Sequence, residues 1–307
     1  MTSFFQTDEW RMFQKNLGRR AYADQGDGWN YVAFHESGTA NTRLYTPYGP
    51  SFQSEETFLE AIKSLTQTAK RERVTFIRIE PVDMISRDFL KAHGFRPVSY
   101  QQLQPAHTQI IKLTPSEETI LASMSQNSRN ITRNYKNKGI SIRISHQPSD
   151  ISILTSLLDT VAKRNHIRTH DHAYFNMQAE TLFPSKAASL YIAEYEKKPI
   201  AAALVYDTKT TRVYGHAAAD DAYRKLSAGT ALLGQIILDA KRSGQQEVDL
   251  YGTAPDDDPT HPWSGFTRFK KSFGGESRSY VGAWDLPINQ FGYRLYRAYQ
   301  HLYRKLR

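Results

Sequence analysis

The two halves of this 307-residue sequence repeat each other weakly, and the repeat limits the folds that the chain can adopt. Arg43-Leu44-Tyr45 has a counterpart in Arg212-Val213-Tyr214, and Ala69-Lys70-Arg71 has one in Ala240-Lys241-Arg242, at offsets of 169 and 171 residues. In each half the second triplet ends an amphipathic helical pattern, and a strand pattern that runs to a proline follows it. Short triplets recur by chance, but similar offsets in the same order of elements predict a tandem duplication.

Apolar residues recur at helical and at strand spacings in both halves, which is typical of an α/β (α+β) protein. Thr114-Pro-Ser-Glu117 has the pattern of a capping box and predicts a helix that continues through Ile131 and ends at Gly139. Glu196-Lys-Lys-Pro199 predicts the turn of a β-hairpin. The other predicted helices lie near 8–15, 58–69, 151–161, 232–240 and 293–307, and the predicted strands are 29–34, 74–79, 140–144, 190–195, 200–206, 212–219 and 248–252.

The length allows two domains, each large enough to bury its own core. We place the first domain at residues 1–145 and the second at 146–286, with the last helix, within 287–307, completing the first. We expect this helix to pack back on the first domain through its apolar face, although it could instead lie near an anionic surface. That face consists of Leu295, Tyr299, Leu302 and Leu306.

Bulk composition excludes several classes of function. Without cysteine, the chain has no disulfide, no thiolate nucleophile and no cysteine metal ligand. It has no apolar run long enough to span a bilayer and no signal-peptide pattern, so we expect a cytoplasmic protein that could also lie peripherally at the inner face of the membrane. Lysine and arginine exceed aspartate and glutamate by nine, and they cluster at 129–138, 268–271 and 294–307. This excess favours a polyanionic partner such as RNA, a nucleotide diphosphate or an anionic membrane, and a charge that serves only solubility is the alternative.

The run from Phe266 to Glu276 follows a predicted strand and alternates aromatic with basic residues before Gly274-Gly275. Aromatic faces stack on bases or ribose, and lysine and arginine neutralise phosphate. The pattern therefore indicates contact with the end of a nucleic acid or with a nucleotide. Spacing is equally consistent with a surface hairpin whose aromatic residues belong to the core.

The segment Phe269-Lys-Lys-Ser-Phe-Gly-Gly275 resembles the FK-x-x-FGG signature of the Fem family, aminoacyltransferases that build peptidoglycan cross-bridges. The chain has no heptad run for the coiled-coil arm that many members carry, so it resembles the shorter, armless members. Other stretches resemble the family in the same order, and together they extend over residues 40 to 285. These stretches are 45–50, 76–81, 91–95, 103–108, 128–131, 138–139, 223–226, 240–244 and 248–251.

This resemblance implies two tandem acetyltransferase-like (GNAT) domains. It also implies transfer of an amino acid from aminoacyl-tRNA to the stem-peptide amine of a peptidoglycan precursor, either UDP-MurNAc-pentapeptide or its lipid-linked form. By resemblance Lys270 is catalytic, and Phe269 beside it holds the terminal adenosine of the tRNA. The clustered cations are candidates to bind the tRNA, namely Arg268, Lys271, Arg129 and Arg133. The resemblance points to the first-domain cleft and the domain boundary for the precursor, with the candidates Tyr45, Tyr48, Arg78, Gln104 and Thr108 there, and Arg212, Tyr214 and Tyr251 from the second domain.

Two other classes of function are open. An acyl-CoA N-acyltransferase would use the phosphate loop at Arg224–Gly229, but Ser227 replaces the glycine that lets the backbone approach a pyrophosphate. A non-catalytic RNA- or membrane-binding module would need only the basic surface. We expect no cofactor, because a tRNA ester is already activated. We also expect no metal, although histidines at 166, 170 and 172 and the acidic loop 256–261 could suggest one.

Overall fold

The computed structural model describes residues 3–39, 41–99, 103–165, 169–255, 258 and 260–305. The chain forms two compact units, of which the first combines Met1–Ala106 with Ser279–Arg307 and the second is His107–Arg278. The predicted boundaries at residues 145 and 286 therefore need correction. Residues 107–112 and 140–145 are strands of the second unit's sheet, and residues 284–287 form a strand of the first unit's sheet.

The first unit contains a mixed sheet in the order β1-β2-β3-β5-β14-β6, with β4 also paired to β2. Its strands are β1 (Ala21–Gly26), β2 (Trp29–Gly38), β3 (Asn41–Thr46), β4 (Ser51–Phe52), β5 (Phe76–Ile79), β6 (Arg96–Pro97) and β14 (Trp284–Pro287). Its helices are α1 (Asp8–Asn16), α2 (Glu55–Arg71), α3 (Arg87–Ala92) and α10 (Gln290–Lys305).

Local sequence explains α2. The side chain of Ser54 caps the helix by accepting from the backbone N–H of Thr57. The side chain of Thr57 in turn accepts from the backbone N–H of Ser54, which completes a capping box. Acidic residues occupy the first turn and basic residues the last, which complements the helix dipole. Phe58, Leu65 and Ala69 are completely buried on one side, so the predicted apolar spacing is the face that covers the sheet.

The C-terminal segment completes the first unit. Strand β14 lies between β5 and β6, and Asp285 on β14 accepts two hydrogen bonds from the guanidinium of Arg78 on β5, at 2.7 and 2.9 Å. Helix α10 packs through Tyr293 and Tyr296, whose rings contact Phe76.

The face of α10 that makes this contact is not the predicted one. Leu295 and Leu302 are 54% and 61% exposed, whereas Tyr293 and Tyr296 are buried. The tyrosines form the buried face because their hydroxyl groups reach the buried ion pair. Tyr293 donates a hydrogen bond to Asp285, and Tyr296 accepts one from Arg78. Leu306 lies outside the described residues.

The second unit contains a sheet in the order β13-β7-β12-β11-β10-β9-β8. Its strands are β7 (His107–Lys112), β8 (Ile140–Ser145), β9 (Ala188–Tyr195), β10 (Lys198–Asp207), β11 (Thr211–Ala219), β12 (Glu247–Gly252) and β13 (Glu276–Ser279). Its helices are α4 (Glu117–Ser123), α5 (Gln126–Asn134), α6 (Ile151–Asn165), α7 (His172–Leu182), α8 (Ala228–Arg242) and α9 (Ser264–Lys271). The predicted hairpin is β9–β10, whose turn places Glu196 and Lys197 at positive φ.

The helix predicted from Thr114 to Gly139 is instead two helices. Ser116, not Thr114, caps α4, and a second cap at Ser125 begins α5. The chain between them is extended at Met124, whose side chain is buried in the core. A 3-10 turn follows α5, and Gly139, with φ 75°, ends it as predicted.

The predicted duplication is present in the topology. In each unit an antiparallel strand pair is followed by a helix and then by a strand parallel to the second of the pair, giving β2-β3-α2-β5 and β10-β11-α8-β12. The repeated arginines take matching places. Arg43 on β3 pairs with Glu36 on β2, and Arg212 on β11 pairs with Asp207 on β10. The sequence repeat is therefore a repeat of structure.

Candidate active site

Lys270 lies on α9, a short helix, and not on the hairpin that was the alternative for this segment. Thr267 ties α9 to the chain beyond β12, because its hydroxyl accepts from the backbone N–H of Ala254 at 2.8 Å and donates to the carbonyl of Trp263. The helix therefore stands at the carboxyl end of β12.

The ammonium of Lys270 is held by two backbone carbonyls. Its Nζ lies 2.7 Å from the oxygen of Gly252 and 3.2 Å from that of Tyr251. Both carbonyls are available because β12 loses its regular register between Asp249 and Gly252, where Tyr251 has φ 60°. An ammonium has three hydrogens, so this arrangement uses two and leaves one for a further oxygen.

Burial lowers the pKa of Lys270 to about 8, and the nearby carboxyl of Asp249 acts in the opposite direction. The lysine as a whole is half-buried, so part of its side chain remains at the surface. A cation with a pKa near neutrality, held at a fixed place, can stabilise developing negative charge and can also exchange a proton.

Asp249 is a member of this site that the sequence interpretation did not select. Its buried carboxylate accepts from the hydroxyl of Thr108 and from the backbone N–H of Tyr251 at 2.7 Å. Burial raises its pKa. The signal for it was an acidic residue between two apolar residues of a buried strand, Val248 and Leu250. Thr108, placed by resemblance in the first domain, belongs to the second unit and is completely buried beneath this site.

The glycine pair of the signature has a structural explanation. Gly274 and Gly275 both have φ 80°, in the left-handed region. A β-carbon at Gly274 would lie 2.7 Å from the carbonyl oxygen of Ser123, and one at Gly275 would lie 2.2 Å from that of Ile110. The pair therefore lets the chain leave α9 and pass against the backbone of β7.

Phe269 and Phe273 pack on the second unit's core, where their rings meet edge to face at 5.4 Å. Phe273 is completely buried, but Phe269 is only half-buried and keeps part of its ring accessible. Phe266, on the same helix, is 54% exposed. An accessible aromatic surface thus lies next to Lys270 in the chain.

The structure brings the two predicted tRNA-binding clusters together. The Oγ atoms of Ser128 on α5 and Ser272 after α9 are 2.8 Å apart, and the N–H of Ser125 donates to the carbonyl of Ser272. Arg129 directly follows Ser128 in the chain, and Lys271 directly precedes Ser272. Arg133, Arg268 and Lys271 are exposed, while Arg129 is half-buried and donates to the carbonyl of Ala122.

In the first unit, Tyr45 and Gln104 meet at Glu80, a buried residue that was also not selected from sequence. Its carboxylate accepts from the hydroxyl of Tyr45, from the N–H of Leu103 at 3.0 Å and from that of Gln104 at 3.4 Å. Burial raises the pKa of Glu80. These bonds fix the segment after residue 102 against the end of β5.

Tyr48 supports one wall of an open groove in the first unit. Its ring meets that of Tyr280 at 5.6 Å, and its hydroxyl donates to the carbonyl of Pro105 at 2.8 Å. Tyr280 lines the groove together with Asp83 and Arg87. Tyr48 itself is buried.

Three further predicted precursor contacts are buried in this structure, in addition to Tyr45, Tyr48 and Thr108. Arg78 is completely buried in its ion pair with Asp285. Arg212 is buried between Asp207, at 2.7 and 2.8 Å, and the hydroxyl of Tyr191, at 2.7 Å. Tyr214 is buried in the same core, which raises its pKa. These three side chains offer little or no surface to a ligand. Each of the two arginines forms an ion pair with an aspartate on a neighbouring strand and so needs no ligand to balance its charge. Tyr251 is half-buried and takes part in the site through its backbone.

Ser227 occupies the loop position where a glycine was expected for coenzyme A. Its φ of 58° is in the left-handed region, so the backbone takes the conformation of a glycine although a side chain is present. Serine in place of glycine therefore adds a side chain to this loop, while the backbone keeps a conformation typical of glycine.

The described ranges contain neither a cluster of metal ligands nor a membrane-spanning helix. No group of three histidine, aspartate or glutamate residues there is placed to hold a metal ion. His172 bonds Asp159 at 2.9 Å, and His170 stacks on Tyr174. His166 and the residues Asp256 and Asp257 lie outside the described residues. No helix in the described part of the chain is both long and apolar enough to cross a bilayer.

Comparison with solved structures identifies the fold. The structure of FemX superposes with a TM-score of 0.86 at 17% identity, covering 95% of this chain and 94% of that one. L-PGS from Bacillus licheniformis gives 0.61 at 12% identity, covering 91% and 88%. A tandem GNAT protein from the clavulanic acid biosynthesis pathway gives 0.52 at 13% identity, covering 88% and 83%. A search of curated proteins found no sequence that matches significantly.

The repeated units therefore define a tandem GNAT-like acyltransferase fold, as predicted. The sequence profile of the FemAB family matches residues 89–198 and 184–301, which together cover more than half of the chain. The chain belongs to the FemAB family, the acyltransferases of peptidoglycan cross-bridge formation.

Proposed function

We propose that this protein transfers an amino acid from aminoacyl-tRNA to the stem-peptide amine of a peptidoglycan precursor. The observation that carries the proposal is Lys270, a half-buried cation with a pKa of about 8 that two carbonyls hold at the end of β12. Family membership supports the class of reaction. Exposed cations and aromatic rings on the same helix support a nucleic acid as donor.

The reaction is aminolysis of an ester. The amine nitrogen attacks the aminoacyl carbonyl carbon, the C–N bond forms, and the C–O bond to the tRNA ribose breaks. The amine loses one proton, and the departing ribose oxygen gains one. The third hydrogen of the Lys270 ammonium would point at the oxygen on which negative charge develops, which lowers the barrier without a covalent intermediate. No cofactor is required, because the ester is already activated.

The donor would lie on the joined basic surface of α5 and α9. Arg129, Arg133, Arg268 and Lys271 would neutralise phosphates, and the accessible part of Phe269 would contact the terminal adenosine. Lys270 is on the same helix, so a tRNA that lies along these cations has its acceptor end near the lysine.

The precursor would bind the first unit at the groove of Asp83, Arg87 and Tyr280. Tyr45, Glu80 and Gln104 would act as positioning residues there, because their mutual bonds fix the backbone after β5. Arg78 would support the same strand from the core and would not touch the precursor.

The test supplies purified protein with a lysine-containing UDP-MurNAc-pentapeptide and with either charged tRNA or acetyl-CoA, and follows the mass of the acceptor. We expect one added aminoacyl residue that depends on charged tRNA and is lost after RNase treatment. Lys270→Met serves as the matched inactive control. Running the reaction with the lipid-linked precursor in parallel identifies the form of the acceptor.

The alternatives predict different outcomes. Acetylation without tRNA would overturn the proposal and would show that the loop at Ser227 still admits coenzyme A. Binding of tRNA without any product from either acceptor would instead favour a non-catalytic module. Neither outcome is compatible with Lys270 as a catalytic residue for aminoacyl transfer.

A further inference from the structure

Helix α10 carries an apolar surface on the side away from its contact with the first unit. Phe291, Leu295 and Leu302 are 73%, 54% and 61% exposed, and we call these three residues the outer stripe. At 3.6 residues per turn they fall on one face, opposite to the buried Tyr293 and Tyr296. The helix thus uses one face to hold the first unit's sheet and presents the other to its surroundings.

The charge on α10 has a single sign. Residues 290–305 include four arginine or lysine residues and no aspartate or glutamate. Arg294 is exposed and lies next to the outer stripe on the helix surface, whereas Arg297 donates to the hydroxyl of Tyr293 at 3.2 Å. An exposed apolar stripe with an exposed arginine beside it, on a helix whose charged residues are all basic, matches the two requirements of an interfacial helix on an anionic bilayer.

We propose that α10 attaches this protein to the surface of an anionic membrane by inserting the outer stripe among the lipids. Phe291, Leu295 and Leu302 would leave water for the boundary of the acyl chains, and Arg294 would stay at the level of the headgroup phosphates. The first unit would remain on the aqueous side, since Tyr293 and Tyr296 keep the helix packed on it. This inference does not depend on the transfer reaction.

Other occupants fit the stripe less well. An RNA would satisfy the positive charge and could stack a base on Phe291, but Leu295 and Leu302 offer no aromatic face for further bases. A second copy of the chain could cover the stripe, but a two-fold interface would bring two helices of the same positive charge together. A lipid surface gains from both the apolar residues and the charge.

Vesicle binding tests the proposal. Wild-type protein is sedimented with phosphatidylcholine vesicles and with vesicles that also contain phosphatidylglycerol. We expect binding to the anionic vesicles that weakens as salt is added. Replacing the stripe with Phe291→Ser, Leu295→Ser and Leu302→Ser should weaken partitioning on the order of 100-fold. Arg294→Gln should weaken it roughly fivefold.

A matched control uses exposed apolar residues elsewhere in the first unit. Met12 and Leu59 are 45% and 36% exposed, so Met12→Ser with Leu59→Ser removes exposed apolar side chains without touching α10. This variant should bind vesicles as the wild type does. Both variants should keep the wild-type melting temperature, because none of the replaced side chains is buried.

The absence of cysteine allows a direct second measurement. A polarity-sensitive fluorophore on Leu295→Cys should shift to shorter wavelength when anionic vesicles are added, and the same label on Leu59→Cys should not. The proposal is overturned if the wild type does not bind anionic vesicles, or if the control variant loses binding as much as the stripe variant. It is also overturned if the stripe variant abolishes a dimer or lowers tRNA affinity and leaves vesicle binding unchanged.

Discussion

Lys270 donates a hydrogen bond to the carbonyl oxygen of Gly252, 2.7 Å away, and this bond fixes the candidate catalytic cation at the end of β12. Backbone carbonyls orient the ammonium without neutralising it, whereas a carboxylate partner at the same distance would have raised its pKa. Asp249 is close enough to support the charge but bonds Thr108 and Tyr251 instead.

Lys270→Met should abolish transfer and leave the protein at least as stable as the wild type near neutral pH. Burial lowers the pKa of Lys270 below its unfolded value, so the charged form costs free energy in the folded state, and methionine removes that cost. Initial rates of transfer and the melting temperature measure the two effects. A variant with normal turnover would exclude Lys270 from catalysis.

The transfer rate should fall as the pH rises through about 8, because Lys270 is protonated below its folded pKa and neutral above it. The free energy of unfolding should change in the opposite direction to the rate as the pH rises. The unfolded chain keeps the proton up to its ordinary lysine pKa, so the free energy of unfolding should rise between the two values. Rates must be corrected for spontaneous hydrolysis of the tRNA ester. An alkaline limb that persists unchanged in Lys270→Arg would assign it to another group.

Asp249→Asn should move the alkaline limb to lower pH. The carboxylate favours the charged form of Lys270, and asparagine keeps nearly the same shape without the charge. Thr108→Val serves as the control, since it removes the hydrogen bond to Asp249 but not the carboxylate. If both variants give the same pH profile, the effect of Asp249 comes from packing and not from its charge.

Arg78→Met should destabilise the first unit by about 3–5 kcal/mol, because it leaves the Asp285 carboxylate buried without its cation. Adding Asp285→Asn should recover part of this loss. The exposed pair of Asp8 and Arg11 is the comparison, and its removal should cost less than about 1 kcal/mol. Calorimetric unfolding of the variants gives these differences. Equal losses from the two pairs would mean that Arg78 does not anchor the C-terminal segment.

Affinity for tRNA should decrease steeply with salt, and Arg268→Gln and Lys271→Gln should each reduce the slope of log affinity against log salt by about 1. Arg242→Gln is the matched control in the same unit, because its guanidinium already pairs with Glu117 at 2.8 Å. Filter binding at several salt concentrations measures the slope. A slope that none of the three variants alters would place the phosphates elsewhere.

Features that depend on neighbours in the sequence could be predicted, and features that depend on distant partners could not. The order of elements in each half, the helix α2 and the signature around Lys270 are patterns of sequence neighbours, and the structure contains all three. Asp249 escaped selection because Thr108, its partner, is 141 residues away, and only the fold brings the two together.

The same limit explains Arg78 and α10. A strand arginine gave no sign that an aspartate 207 residues later would bury it. The spacing of leucines in α10 predicted that their face would be buried. The tyrosines on the other face are buried instead, because they can form hydrogen bonds with Asp285 and Arg78. Hydrophobic periodicity locates an amphipathic helix, and polar partners in the core decide which side of it is buried.

The place of β14 between β5 and β6 has a consequence for how the protein is made. A ribosome delivers β5 and β6 long before β14, so the early sheet lacks its inner strand while the whole second unit is being synthesised. During that time the edge of β5 exposes unpaired backbone groups, which are a template for wrong strand pairing. The second unit, continuous in sequence, can fold first. The unit whose strands are translated first is therefore the unit that is completed last.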